Sequence, residues 1–236
     1  MRDDLNVPLQ LKAARLAGLL FLIAMATGLF AEFYVRFPST LVVNGDALKT
    51  TNNIIAHERL FRIGIANNIV TFAIDVVLIW ALYLLLKRVN RSLALLAVFF
   101  RLIETTLACF AIINSYVAMQ FINDSPTKLF DLNQIQFLSL LHSIYALTFV
   151  IVAVFLGLGS ILFNYLFYKS GYIPKILAGW GIFASLLLLT SQFAIIVFPA
   201  VENKIIPACY GPIALDEIAL GVWLLFKGAK IPITNR

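Results

Sequence analysis

Apolar residues in this chain gather into long unbroken stretches rather than short runs alternating with polar positions. A bilayer core of ~30 Å takes about 20 mostly apolar residues in helical form. Six stretches are long enough: Arg15–Tyr34, Ile63–Leu86, Ser92–Ile122, Ile135–Tyr168, Ile176–Ala200 and Ile205–Phe226. The third and fourth exceed a straight crossing, which predicts tilt, protrusion or a kink. The longest connection, about Val35 to Arg62, follows the first stretch. Its second half, Ala47 to Arg62, carries Ile54, Ile55, Leu60 and Phe61 at helical spacing, which predicts an amphipathic helix on the outer interface. The fold class is all-α: a polytopic transmembrane helical bundle of about six spans, a single transmembrane domain over residues 1–236.

Composition makes lipid the solvent. The apolar set accounts for 61% of the residues and charged residues for 13%, against roughly 45–50% and 25% in a soluble domain. The net charge of +6 does not point to nucleic acid, because the cations are scattered between apolar runs without a basic face. They report orientation instead. Arg2, Lys12, Arg15, Lys87, Arg88, Arg91, Lys169, Lys175, Lys227, Lys230 and Arg236 fall on one side, eleven in all. Arg36, Lys49, Arg59, Arg62, Lys128 and Lys204 fall on the other, six in all. The richer side is the cytoplasm, so both termini are expected there. Ala24-Met25-Ala26 has the form of a signal-peptide cleavage site, but apolarity continues to Tyr34, which favours a retained anchor. Similar helix endings at Lys87, Lys169 and Lys227 read either as a duplicated hairpin or as the shared grammar of a basic inner turn, and the second is favoured. Cys109 and Cys209 are the only cysteines, read as small apolar residues at helix contacts rather than a disulfide framework.

The informative residues are ionisable groups inside the spans. An Asp, Lys or Arg at mid-helix costs about 2.5–3.5 kcal/mol on insertion scales, and this chain has several: Asp75, Arg101, Glu104, Asp216 and Glu217, with His142 in the outer part of the fourth span. Asn68, Thr71 and Asp75 make one polar stripe at i, i+3 and i+7; Arg101 shares a face with Glu104, and His142 with Tyr145. Lipid cannot solvate such faces, so they are expected to meet in a buried polar cluster. Four acids then confront one guanidinium, which can engage two carboxylates. A leftover acid must hold a proton, bind a cation or border water. The competing reading is a hydrogen-bond network that only fixes helix packing. Nearer the outer surface, Glu32, His57, Glu58 and Arg62 either cap the mouth of the cluster or serve as ordinary interfacial residues.

Other chemistry finds little footing. His57-Glu58-Arg59-Leu60-Phe61 lacks the second histidine of H-E-x-x-H. With only His57 and His142 as histidines, no metal or other cofactor is expected. No G-x-S-x-G, Walker or dinucleotide motif is present. Glycines inside the spans, such as Gly157, Gly159, Gly179 and Gly181, read as sites of close helix approach. Pro207 and Pro212 predict a kink at the entrance of the sixth span.

Several strings together carry a family likeness: Arg15-Leu-Ala-Gly-Leu-Leu-Phe-Leu-Ile23, His57-Glu58-x-Leu60-Phe61-Arg62, Val89-Asn90-Arg91-Ser92-Leu-Ala-Leu-Leu96 with Phe100-Arg101-Leu102, and Trp223-Leu-Leu-Phe-Lys-Gly228. From about Lys12 to Gly228 the chain resembles a bacterial multi-pass membrane family catalogued as domain of unknown function 4386. The resemblance implies the bacterial cytoplasmic (inner) membrane and carries over no reaction, ligand or catalytic residue. The residues themselves favour binding, sensing or transport of a small or lipid-like ligand, or a proton, at the polar cluster. The alternatives are an intramembrane enzyme acting on a lipid or isoprenoid through His57 or His142 and an acid, and a structural or assembly protein. Expected partners are membrane lipids and a small hydrophobic or lipid-like ligand, with no nucleic acid. Six helices are few for a carrier of two inverted halves, so transport would call for a homo-oligomer.

Overall fold

A computed structural model describes residues 7–31, 41, 43, 46–124 and 131–231, apart from the side chains of 47 and 201–208. The expected end of the first span at Tyr34 and the rim residue Glu32 lie outside the described residues. So do Arg2, Arg36, Lys128 and Arg236, and the side chains of Lys204 and Pro207.

The described residues form seven α-helices and no strand: α1 (Val7–Phe30), α2 (Ala47–Ala56), α3 (Glu58–Leu86), α4 (Arg91–Asn123), α5 (Leu132–Ser170), α6 (Lys175–Val197) and α7 (Glu202–Phe226). All except α2 are long and apolar enough to cross a membrane. Their outward positions are large and apolar: Trp80, Phe99, Phe110, Leu147, Phe183 and Leu215 are all exposed. Such a surface is stable in hydrocarbon and would be an aggregation liability in water. The chain is a multi-pass membrane bundle.

Two of the sequence boundaries need correcting. Helix α1 begins at Val7 instead of Arg15, taking Lys12 and Arg15 into its first turns. An apolar window measures the lipid-immersed part of a helix, and hydrogen bonding carries the helix on into polar sequence. The amphipathic helix is also shorter than expected. Asp46 caps it by accepting from the Lys49 N–H at 2.9 Å, and it ends at Ala56. His57 leaves helical geometry (φ −126°, ψ 38°). Glu58 to Arg62 therefore open the membrane-crossing α3 rather than closing the interfacial α2.

The described chain divides into two compact units. The first comprises residues 1–25, 74–105 and 150–236; the second comprises 26–73 and 106–149. In the first, Ala14, Ala17 and Phe21 of α1, Leu78, Ala81, Leu82, Leu85 and Leu86 of α3, Ala94 and Ala97 of α4, Phe163, Leu166 and Phe167 of α5, and Leu220 and Leu224 of α7 share one apolar core. Hydrogen bonds tie its helix ends: Gln10 Nε2 donates to the Leu85 carbonyl at 3.0 Å, and Lys230 N–H to the Tyr172 carbonyl at 2.9 Å. Helix α6 packs against α7, and Trp180 Nε1 donates to the carbonyl of Pro212 at 3.2 Å. Helix α7 stays helical through Pro207 and Pro212.

In the second unit, Ile54 of α2 packs with Ile122 of α4 and Leu138 of α5. Asn67 Nδ2 donates to the Thr27 carbonyl at 3.0 Å and Asn114 Nδ2 to the Leu141 carbonyl at 2.6 Å. Both cysteines are free; Cys209 is buried as a packing residue, whereas Cys109 faces outward.

Candidate functional site

Helical periodicity brings the polar side chains of the first unit inward. On α3, Asp75 precedes Leu78, Ile79 and Leu82 at i, i+3, i+4 and i+7, and those three are buried, while Val76, Val77 and Trp80 are exposed. On α4, Ala94, Ala97, Arg101, Glu104, Thr105 and Ala108 make a continuous buried stripe beside exposed Leu102 and Ile103. On α7, Ile213, Asp216, Leu220 and Leu224 are buried and Glu217 half-buried, with Leu215, Ile218 and Val222 outside. Asp75 is half-buried as well.

Depth along the helices agrees. At 1.5 Å per residue, Asp75 stands about 16 Å from the Leu86 end of α3, and Arg101 about 15 Å from the Arg91 end of α4. Glu217 stands about 14 Å from the Phe226 end of α7. Half of a ~30 Å hydrocarbon core is about 15 Å. Measured from these helix ends, Asp75, Arg101 and Glu217 therefore stand at similar distances, about half the thickness of a hydrocarbon core.

Arg101 is the hub. Its Nη1 lies 2.9 Å from Glu104 Oε2, with both side chains about one-tenth exposed or less (7% and 11%). The N–H is not aimed at the oxygen, so this is an ion pair without a hydrogen bond's alignment. Glu104 acts on the guanidinium most strongly, followed by Asp75 and then Glu217. Thr105 Oγ1 donates back to the Arg101 carbonyl at 2.9 Å. The arginine's stem lies against Gly159 of α5, where a Cβ would stand 2.7 Å from Cγ and 2.8 Å from Cδ. Gly159 thus makes room for a charged side chain, whereas Gly157 fits the close-approach reading, facing the Ser185 carbonyl and Leu189 of α6 at 3.2 Å.

Asp216 takes a different partner. Asn164 Nδ2 on α5 donates to Asp216 Oδ2 at 3.1 Å, both side chains being buried. Gly181 on α6 makes space for that amide, since a Cβ there would collide with it. Ser185, fully buried beside it in sequence, returns its hydroxyl to the Gly181 carbonyl at 2.7 Å.

Five of the six expected cluster residues, Asp75, Arg101, Glu104, Asp216 and Glu217, therefore lie in the first unit. His142 belongs to the second unit, half-buried on α5 with Tyr145, whose ring packs on Phe149 at 4.8 Å. Of the rim residues, His57, Glu58 and Arg62 also belong to the second unit. Glu58 pairs with Arg62 at 2.7 Å and accepts from Asn123 Nδ2 at 3.0 Å. A shallow depression of about 350 Å³ lies along Ala56, His57, Glu58, Arg59, Leu60 and Ile63. Sequence reasoning missed Asn164 and misassigned Gly179, which has nothing within 4 Å, whereas Gly159 and Gly181 do stand at close helix contacts. The signal for Asn164 was its isolation as the single amide in the apolar run Leu156–Leu166.

Among the described residues, no three of His, Cys, Asp and Glu are grouped to hold a metal ion.

The family model Domain of unknown function (DUF4386) matches residues 16–228. The chain belongs to this family. No curated protein and no solved structure matches it. For this DUF4386 protein, membership agrees with the multi-pass architecture and assigns no activity. One of the strings that carried the resemblance, Phe100-Arg101-Leu102, supplies the hub guanidinium. Another, beginning at His57, forms the break between α2 and α3.

Proposed function

We propose that this protein binds, senses or transports a small or lipid-like ligand, or a proton, at the cluster of Asp75, Arg101, Glu104 and Glu217. One observation carries the reading: inside an apolar bundle a buried guanidinium, Arg101, is paired with Glu104 at 2.9 Å, with two further acids, Asp75 and Glu217, within its electrostatic reach. Glu104 is paired with Arg101 and buried. Asp75 and Glu217 are only half-buried and must share what remains of the same positive charge. Burial penalises an ionised acid that lacks a counter-charge, so these two are the groups with most to gain from a proton or a cationic ligand. Arg101 serves as counter-ion and as anchor for an anionic group; Asp75 and Glu217 serve as acceptors. The eleven-to-six distribution of basic residues and the family membership support a bacterial cytoplasmic membrane with both termini inside.

The test uses protein reconstituted in vesicles, with a trapped dye reporting internal pH after an acid pulse. Wild-type protein adds a component to proton exchange that Asp75→Asn and Glu217→Gln each reduce at least tenfold, with yield unchanged. Exchange equal to wild type in both variants would remove the reading. The closed Arg101–Glu104 pair favours a second reading, in which the cluster only fixes packing. That reading requires Asp75→Asn and Glu217→Gln to lower thermal stability, whereas a binding role leaves it near the wild-type value.

A further inference from the structure

The pair Asn164–Asp216 has an imbalance that a single hydrogen atom would correct. One hydrogen bond joins the two side chains, from Asn164 Nδ2 to Asp216 Oδ2. Asn164 Oδ1 and Asp216 Oδ1 are each fully buried and have no hydrogen-bond partner. Both are acceptors while the acid is ionised. A buried polar atom without a partner costs about 1–3 kcal/mol, and more when the group is charged.

Among the described residues, no cation is paired with Asp216. Arg101 acts on Glu104, Asp75 and Glu217, and Asp216 is not among its partners. On α6 the residues at this level are Gly181 and Ser185, and the Ser185 hydroxyl is already committed to the Gly181 carbonyl. On α5 the facing group is Asn164. On α7 itself the adjacent titratable group is Glu217, another acid, on which Asp216 acts. Among the described residues, the charged group that bears on this carboxyl is negative.

We propose that Asp216 holds a resident proton in the folded protein and that Asn164 closes around it, forming a proton-binding site distinct from the Arg101 cluster. A proton on Oδ1 turns that oxygen into a donor toward Asn164 Oδ1, while Nδ2 continues to donate to Oδ2. A carboxylic acid and a primary amide then form a ring of two hydrogen bonds in which neither oxygen is left over. Gly181 is part of the site because its missing Cβ leaves room for the amide plane. The proton comes from water when the acid is taken up into the bundle, and no other bond forms or breaks. The proposal does not rest on the function argued above, since it concerns a different pair of side chains.

Infrared absorption of the purified protein at neutral pH, in the protonated-carboxyl carbonyl region, tests it. The expected spectrum loses the intensity of one carboxyl in Asp216→Asn and keeps it in Asp131→Asn, which removes an exposed carboxylate outside both sites. In Asn164→Leu the band moves to higher frequency as its hydrogen bonds are lost. A spectrum of Asp216→Asn superimposable on wild type would overturn the proposal. Asparagine can form the same two-bond ring as a neutral acid, so Asp216→Asn is expected to fold with unchanged melting temperature. Should it fail to fold, the exchanged variant Asn164→Asp/Asp216→Asn restores one acid and one amide. Recovery of folding with the carboxyl band supports the ring, and recovery without the band refutes it.

Discussion

Arg101 shows how one side chain can fix the character of a whole helix layer. A guanidinium at mid-membrane is tolerated because Glu104 sits one turn away on the same face and because Gly159 accommodates its stem. Removing one member of a buried ion pair costs about 3–5 kcal/mol, since the survivor is left uncompensated. Arg101→Leu should therefore destabilise the protein by about that much, and Arg101→Leu/Glu104→Leu should recover part of it. Recovery is incomplete because Asp75 and Glu217 also lose their counter-charge. Thermal unfolding in detergent, wild type against both variants, checks the order; a double variant worse than the single would contradict it. At this scale the sequence was informative about which residues are out of place in hydrocarbon, since a charge in an apolar run is visible without coordinates. Asn164 was harder to see. An uncharged amide costs less to bury, and its importance comes from Asp216, 52 positions away in the chain.

At the level of elements, two kinds of glycine must be separated. Gly18 of α1 abuts the backbone of α7, where a Cβ would meet the Gly221 carbonyl oxygen at 2.7 Å and would also collide with the Leu225 nitrogen. Gly28, on the same helix, has nothing within 4 Å. Gly18→Ala should cost about 1–3 kcal/mol as an overpacked contact. Gly28→Ala should be neutral or stabilising by up to about 1 kcal/mol through helix propensity. Melting temperatures of the two variants check the contrast. The same logic makes Gly159→Ala a probe of the cluster, because the atoms it would displace belong to Arg101. Sequence spacing showed that these glycines lie inside spans; it could not show which helix, or which side chain, lies opposite. Helix endings were legible for the opposite reason, because they are local. Gly171 (φ +65°) and Gly228 (φ +70°) terminate α5 and α7 in the left-handed conformation, while Asn90 caps α4 by accepting from the Leu93 N–H at 3.0 Å.

For the whole molecule, six spans were readable because hydrocarbon thickness imposes a length and an apolar composition on each crossing. The break at His57 was not, since Ala47 to Arg62 keeps helical spacing throughout and the interruption is a matter of chain direction. The proposed orientation rests on the basic residues at the Leu86, Ser170 and Phe226 ends of α3, α5 and α7. Reporter enzymes fused after Lys230 should therefore be active in their cytoplasmic form, and fusions after Asp124 in their exported form; the reverse pattern would invert the topology.

The physical premise beneath the proposed site is that lipid drives Asp75 and Glu217 toward each other and toward Arg101. Disulfide formation in intact membranes tests it, using Asp75→Cys/Glu217→Cys in a chain with Cys109 and Cys209 replaced by alanine. The neighbouring pair Val76→Cys/Ile218→Cys is the control, since both positions face outward. Oxidation should link 75 to 217 within the chain and leave the control pair unlinked. No bridge at 75 and 217, or equal bridging at 76 and 218, would mean that the acids do not share an interior, and the proposed site would be gone.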